Sequence, residues 1–175
     1  MPPLIGLSIY ALKWKSNKYY MIKYVPEDTS ICFAEIPDEI CLCFNLSMCP
    51  HRCHGCHSQY LQTDRGDGLT TDVLDSLIKK NQGITCVLFL GGDNDKETLR
   101  SLAKYISINY DLLVGWYSGE STISLSDYIG YFDYIKVGPY IEHLGPLNSK
   151  TTNQRMYHLY KSGLIEDITY RFWSI

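Results

Sequence analysis

Residues 40–58 read ICLCFNLSMCPHRCHGCHS, and this stretch decides the fold because an apolar run leads directly into a cysteine cluster. Ile40–Leu46 has the continuous apolar character of a strand. Just beyond it, Cys49, Cys53 and Cys56 stand in a C-x3-C-x2-C spacing. Extended chain would carry the first and last of these thiols about 20 Å apart, so a common centre requires the loop to wrap around it. Three thiolates fall one short of the four-cysteine set usual for a cubane iron–sulfur cluster. The spacing alone leaves two completions open. Either one iron of a cluster is free for a small molecule, as catalytic zinc keeps an open position, or structural zinc adds His51, His54 or His57 to the three thiolates; three ordinary thiols holding no metal are the remaining reading. Cys41 and Cys43 share one face of the preceding strand by alternation and read as packing thiols, as do Cys32 and Cys86 in their own apolar surroundings.

Strand formers dominate the chain before this point. Tyr19–Val25 and Ile31–Ile36 flank the turn-like Pro26–Ser30 and read as an N-terminal β-hairpin. After the cluster the period changes. Val73, Leu74, Leu77 and Ile78 share a helical face, with Asp72 as its cap and Gly83 as its stop. Ile84–Leu90 is a continuous apolar strand covered on both faces, ending at Gly91-Gly92-Asp93. A second helix carries Leu99, Leu102, Ala103 and Ile106. Leu112–Tyr117 is a further strand ending at Ser118-Gly119, Tyr134–Val137 is a short one, and the late ITYRFW reads as another. Strands alternating with helices indicate a parallel sheet with crossover helices. Ligands of such sheets gather at the carboxyl ends of the strands. The cysteine cluster, Gly91-Gly92-Asp93 and Ser118-Gly119 all lie at such ends, so one site built from several loops is expected.

The 175 residues fit one domain, residues 1–175, with a strand region over about 1–40 packed on the core. With 16 Lys+Arg against 19 Asp+Glu, the net charge of −3 excludes the basic footprint of a nucleic-acid binder. No stretch reaches the ~20 apolar residues of a membrane span. The opening MPPLIGLSIYALKWK lacks a basic leader, and seven cysteines make an odd count for a disulfide framework. A reducing, cytoplasmic setting is expected.

The C-x3-C-x2-C loop after the first core strand resembles the radical S-adenosylmethionine superfamily. Within it, CPHRCHGCHSQYL, FLGGD, GWYSG, FDYIKVGPY and TTNQR, in that order over residues 31–155, resemble the activating components of anaerobic ribonucleoside-triphosphate reductases. Gly55 stands before the third cysteine, where most of the superfamily has an aromatic residue and these activases commonly have glycine. Asp93 stands where glutamate is usual.

The resemblance implies an incomplete radical-SAM-type α/β barrel, since the chain is shorter than the ~250 residues of a closed eight-stranded one. It implies a 4Fe-4S cluster on Cys49, Cys53 and Cys56, with the amino and carboxylate groups of S-adenosylmethionine on the fourth iron. One-electron cleavage would yield a 5′-deoxyadenosyl radical that takes hydrogen from a glycine of the reductase large subunit. A flavodoxin- or ferredoxin-type protein would donate the electron. Gly91, Gly92 and Asp93 would meet the methionine end of the cofactor, with Asp93 accepting from its ammonium; a helix N-cap at Asp93 or Asn94 is the alternative. Ser118 and Gly119 would meet its carboxylate or ribose, or simply form a tight turn. His57 would lie against the adenine, and Asn153, with Gln154 and Arg155, near the cofactor or partner. Thr151 or Thr152 could instead cap a helix there. An open barrel would admit the glycine loop of a large protein substrate.

Overall fold

The computed structural model describes residues 22–173. Its strands, in chain order, are β1 Lys23–Tyr24, β2 Ser30–Cys32, β3 Cys41–Asn45, β4 Asp67–Gly68, β5 Cys86–Leu90, β6 Leu113–Tyr117, β7 Tyr134–Val137, β8 Arg155–Leu159 and β9 Ile165–Asp167, seven of which form the central sheet. The sheet runs β2-β3-β5-β6-β7-β8-β9, while β1 and β4 pair separately. Neighbours from β3 to β7 are parallel; β2 at one margin and β8 and β9 at the other are antiparallel. The result is a partial, open α/β barrel with an N-terminal hairpin.

The apolar runs explain the parallel core. Each central strand is covered on both faces, so near-continuous apolar residues are what it needs. Leu42, Phe44, Val87, Phe89, Val114, Trp116, Ile135 and Val137 join one buried cluster. The helices α1 (Thr71–Lys80) and α2 (Lys96–Asn109) add Leu74, Ile78, Leu99, Leu102, Ala103 and Ile106 to it. Cys41, Cys43, Cys86, Leu88, Tyr134 and Met156 point to the opposite face and build a second cluster with Ile36. Cys41, Cys43 and Cys86 are therefore packing thiols on one face, and half-buried Cys32 packs against the same group. β3, β5 and β6 pair without stagger, Cys41 opposite Cys86 opposite Leu113 and Asn45 opposite Leu90 opposite Tyr117. Their loops leave the sheet at one level.

Several local expectations are corrected. The N-terminal hairpin is β2 with β3, and of the expected first strand, 19–25, the described part pairs with β4 instead of 31–36, residues 19–21 lying outside the described chain. Pro26 starts a 3₁₀ turn that takes the chain away, while Tyr24 packs edge-on against Phe44 and β1 pairs with β4. Helix α1 is capped by Thr70, whose Oγ1 accepts from Val73 N, with Asp72 inside the first turn and Asn81 as the C-cap ahead of Gly83. ITYRFW contains a 3₁₀ turn, Thr169–Phe172, in place of a strand. Asp167 Oδ1 accepts from both Thr169 N and Thr169 Oγ1, and this turns the chain directly after β9. The TTNQR segment leads into strand β8, not a helix, because residues 155–158 pair with β7. No helix among the described residues is long and apolar enough to cross a membrane.

Candidate functional site

Backbone hydrogen bonds build the cysteine loop before any metal is considered. Leu46 N donates to Leu90 O at 2.9 Å, Cys49 N to Leu61 O at 2.9 Å and Met48 N to Thr63 O at 3.2 Å, which clamps the start of the loop between β5 and residues 61–63. Met48 and Arg52 hold left-handed φ values of 63° and 47°, uncommon for residues carrying a Cβ. Backbone strain of this kind persists where its surroundings over-determine it, often at functional sites. It bends the chain sharply on either side of Cys49. Cys49, Cys53 and Cys56 are half-buried and none is in a disulfide.

The chemistry of these donors fits a metal centre. Burial pushes the Cys49 thiol up; the backbone N–H of His51 opposes this, while Asp93, Cys53 and Cys56 reinforce it. A bound cation reverses that balance, since a coordinating thiol is deprotonated outright. Among the described residues, the three side chains whose ligand atoms all lie within 4.8 Å of one another are His51, Asp93 and Glu120, not the cysteines. Three thiolates can each take a different iron of a cluster, leaving the fourth iron open, whereas a structural zinc would need a fourth protein ligand. Two of the nearby histidines have carboxylate partners, His51 bonding Asp93 and His54 bonding Glu142, and the third, His57, is exposed.

The loop after β5 turns through Gly91 and Gly92 at φ 102° and 94°. A Cβ on Gly92 would lie 2.9 Å from Leu46 Cδ1 and 3.1 Å from Leu99 Cδ2, so this glycine is needed for close packing as well as for its backbone. The turn presents Asp93, which does not cap α2. That cap is Asp95, whose Oδ1 accepts from Thr98 N at 3.1 Å. Asp93 instead gathers three loops. Its Oδ1 accepts from Ser118 Oγ at 2.5 Å, and its Oδ2 from Gly119 N at 2.9 Å and from His51 Nε2 at 3.0 Å. Ser118 Oγ in turn accepts from Glu120 N at 3.0 Å. The cysteine loop, the β5 loop and the β6 loop thus meet on one carboxylate.

The loop after β7 brings in Asn153. Its Nδ2 donates to Pro139 O at 3.0 Å, while its buried Oδ1 has no hydrogen-bond partner. A buried acceptor left unmatched costs free energy unless something else satisfies it, so it is available to a ligand. Gln154 Nε2 donates to Gly138 O at 3.3 Å, and Arg155 bonds the carbonyls of Thr152 and Gln154. His57 takes no part in the Asp93 network.

Sequence reasoning gave no role to Lys136 and considered His51 only as a zinc ligand. Lys136 shares the inner face with Tyr134 and donates to Gly138 O at 3.2 Å, with its ammonium 5.4 Å from the Tyr117 ring centroid. Burial pushes this amine down to about 8, and the nearby Asp93, Cys53, Cys56 and Cys49 resist the shift. The available signal was a lone charge inside the apolar run YIKV. At the rim, Lys96 bonds Glu120 at 2.6 Å and holds that carboxyl below its usual range.

The family described as the 4Fe-4S single cluster domain matches residues 40–160. That span begins at the strand leading into the cysteines and takes in Asp93, Ser118, Gly119 and Asn153. No curated protein and no solved structure matches the chain.

Proposed function

We propose, from the premise that the chain belongs to the 4Fe-4S single cluster domain family, that it is a radical S-adenosylmethionine activase for anaerobic ribonucleoside-triphosphate reductase. An iron–sulfur-binding domain is present; the activase reading goes further. The observation that carries it is the convergence on Asp93 of the cysteine loop, the β5 loop and the β6 loop.

Cys49, Cys53 and Cys56 would hold the cluster as thiolates. When bound, the group supplies one electron to the sulfonium C–S bond of S-adenosylmethionine, releasing methionine and a 5′-deoxyadenosyl radical. Asp93, fixed by Ser118 and Gly119, would accept from the ammonium of the methionine end. The unmatched Oδ1 of Asn153 would accept from a donor on the nucleoside, and His57 would flank the adenine. Half-buried Lys136 would balance the negative charge of the thiolates and Asp93. Among the described residues the sheet ends at β2 on one side and β9 on the other without joining. That opening would admit a glycine-bearing loop of the reductase large subunit, with a flavodoxin- or ferredoxin-type donor supplying electrons.

Anaerobic purification followed by iron and sulfide analysis is the first test, and zinc without sulfide would overturn the assignment. The reduced protein is then mixed with the reductase large subunit and S-adenosylmethionine. A glycyl-radical resonance that requires both is the expected result. Cofactor cleavage with no radical on the reductase would move the activase to another glycyl radical enzyme.

A further inference from the structure

Asp93 is closed off in this structure, and one side chain closes it. The Asp93 side chain is 1% exposed, whereas His51, which donates to it, is 19% exposed. Ser118 Oγ and Gly119 N approach from the β6 loop beneath. His51 comes from the cysteine loop, between Cys49 and Cys53, and its ring packs against Gly119. A Cβ on Gly119 would stand 2.4 Å from His51 Cδ2 and 2.8 Å from its Cγ. The missing methyl group is the seat of the imidazole. Oδ2 already accepts twice, so an incoming ammonium takes the outer of these positions only by displacing the ring.

We propose that His51 is a removable plug, holding the Asp93 carboxylate in the ligand-free chain and giving it up to the ammonium of the incoming ligand. This rests on the reading that Asp93 binds the ammonium of S-adenosylmethionine. The exchange is hydrogen bond for hydrogen bond. The imidazole leaves Oδ2 for solvent through its exposed edge, and the ammonium donates in its stead. His51 and Asp93 are 42 residues apart in sequence, so release of the ring frees one of the contacts between the cysteine loop and the β5 loop. The left-handed Arg52 beside it is the pivot. Apparent affinity is reduced by the fraction of chains in the plugged state, and removing the plug restores it.

The test is equilibrium binding of radiolabelled S-adenosylmethionine to anaerobically reconstituted protein, compared between wild type, His51→Ala, His51→Gln and Gly119→Ala. The dissociation constant of His51→Ala is expected to tighten about tenfold, the factor carried by one hydrogen bond to a charged group. His51→Gln, which still donates to Asp93, stays near wild type. Gly119→Ala evicts the ring and tightens binding in the same direction, keeping the test open if His51→Ala does not fold. Wild-type binding with unchanged or weaker binding in His51→Ala and Gly119→Ala would overturn the plug and leave the activase reading standing. Binding by none of the four chains would overturn both.

Discussion

Ser118 Oγ donates to Asp93 Oδ1 at 2.5 Å across 25 residues of chain, and both side chains are almost fully buried. A carboxylate withdrawn from water relies on its donors, and removing one leaves desolvation uncompensated. Ser118→Ala should therefore cost about 1.5–3 kcal/mol in the metal-free chain, read by urea unfolding. It should also weaken binding of S-adenosylmethionine, because the carboxylate loses its fixed orientation. An unchanged unfolding midpoint would show that Asp93 is satisfied without this hydroxyl.

Cys53→Ala should abolish iron and sulfide incorporation while leaving the fold intact. The loop is held by Cys49 N on Leu61 O and Met48 N on Thr63 O, bonds that owe nothing to a thiol at position 53. Far-ultraviolet circular dichroism should match wild type, with iron per chain near zero. Retained cleavage of S-adenosylmethionine by this variant would refute the cluster assignment.

Lys136→Met separates stability from function. Burial lowers this amine to about 8, below the ~10.4 of an unfolded lysine. The unfolded chain therefore binds more protons between these values, and wild-type stability rises with pH across that window. Below pH 8 the penalty is fully present, so the variant should be more stable by about 2 kcal/mol in metal-free protein at pH 7. The same variant should load less iron, because the thiolates lose their half-buried counter-charge. Unfolding at pH 7 and pH 10 with iron analysis checks both halves, and the stability gain should shrink at the higher pH.

The parallel core was legible because burial on both faces demands continuous apolar runs, and β3, β5, β6 and β7 all have them. The margins were not. Strand β8 reads RMYHL, with only Met156 and Leu159 buried, so its pattern matches neither a clean alternation nor an apolar run. The pairing of β1 with β4 joins residues more than 40 positions apart, and nothing local encodes it. The site divides the same way. Cysteine spacing and the end of the FLGGD strand pointed to Cys49, Cys53, Cys56 and Asp93. His51 and Lys136 acquire their meaning only from what folding sets beside them, and the cap of α2 fell on Asp95, where three adjacent polar residues were equally able to serve.

Asp75 offers a pH test away from the site. Tyr110 Oη donates to it at 2.6 Å and Tyr105 Oη at 3.0 Å, tying α1 to α2 and the residue after it. The Tyr110 bond, with those from Tyr105 and the charge of Lys79, holds the carboxyl below its usual range against a smaller effect of burial. The stabilisation is present above the unfolded aspartate value of about 3.9 and is lost as pH falls through the depressed folded one. Asp75→Asn should be less stable by about 1 kcal/mol at pH 7 and indistinguishable from wild type in strong acid.

The level register of β3, β5 and β6 restricts where this chain can change in length. One residue added inside β5 would lift its loop by about 3.3 Å, carrying Asp93 away from Ser118. It would also exchange the two faces of the strand, sending Cys86 and Leu88 toward the helices. For these strands, insertions are tolerable where the chain approaches from their amino ends, in turns such as 82–83, ahead of Thr85, whose backbone already pairs with Ile40 and Leu113. Growth and loss are confined to one end of the sheet, and the other end is kept to a fixed measure.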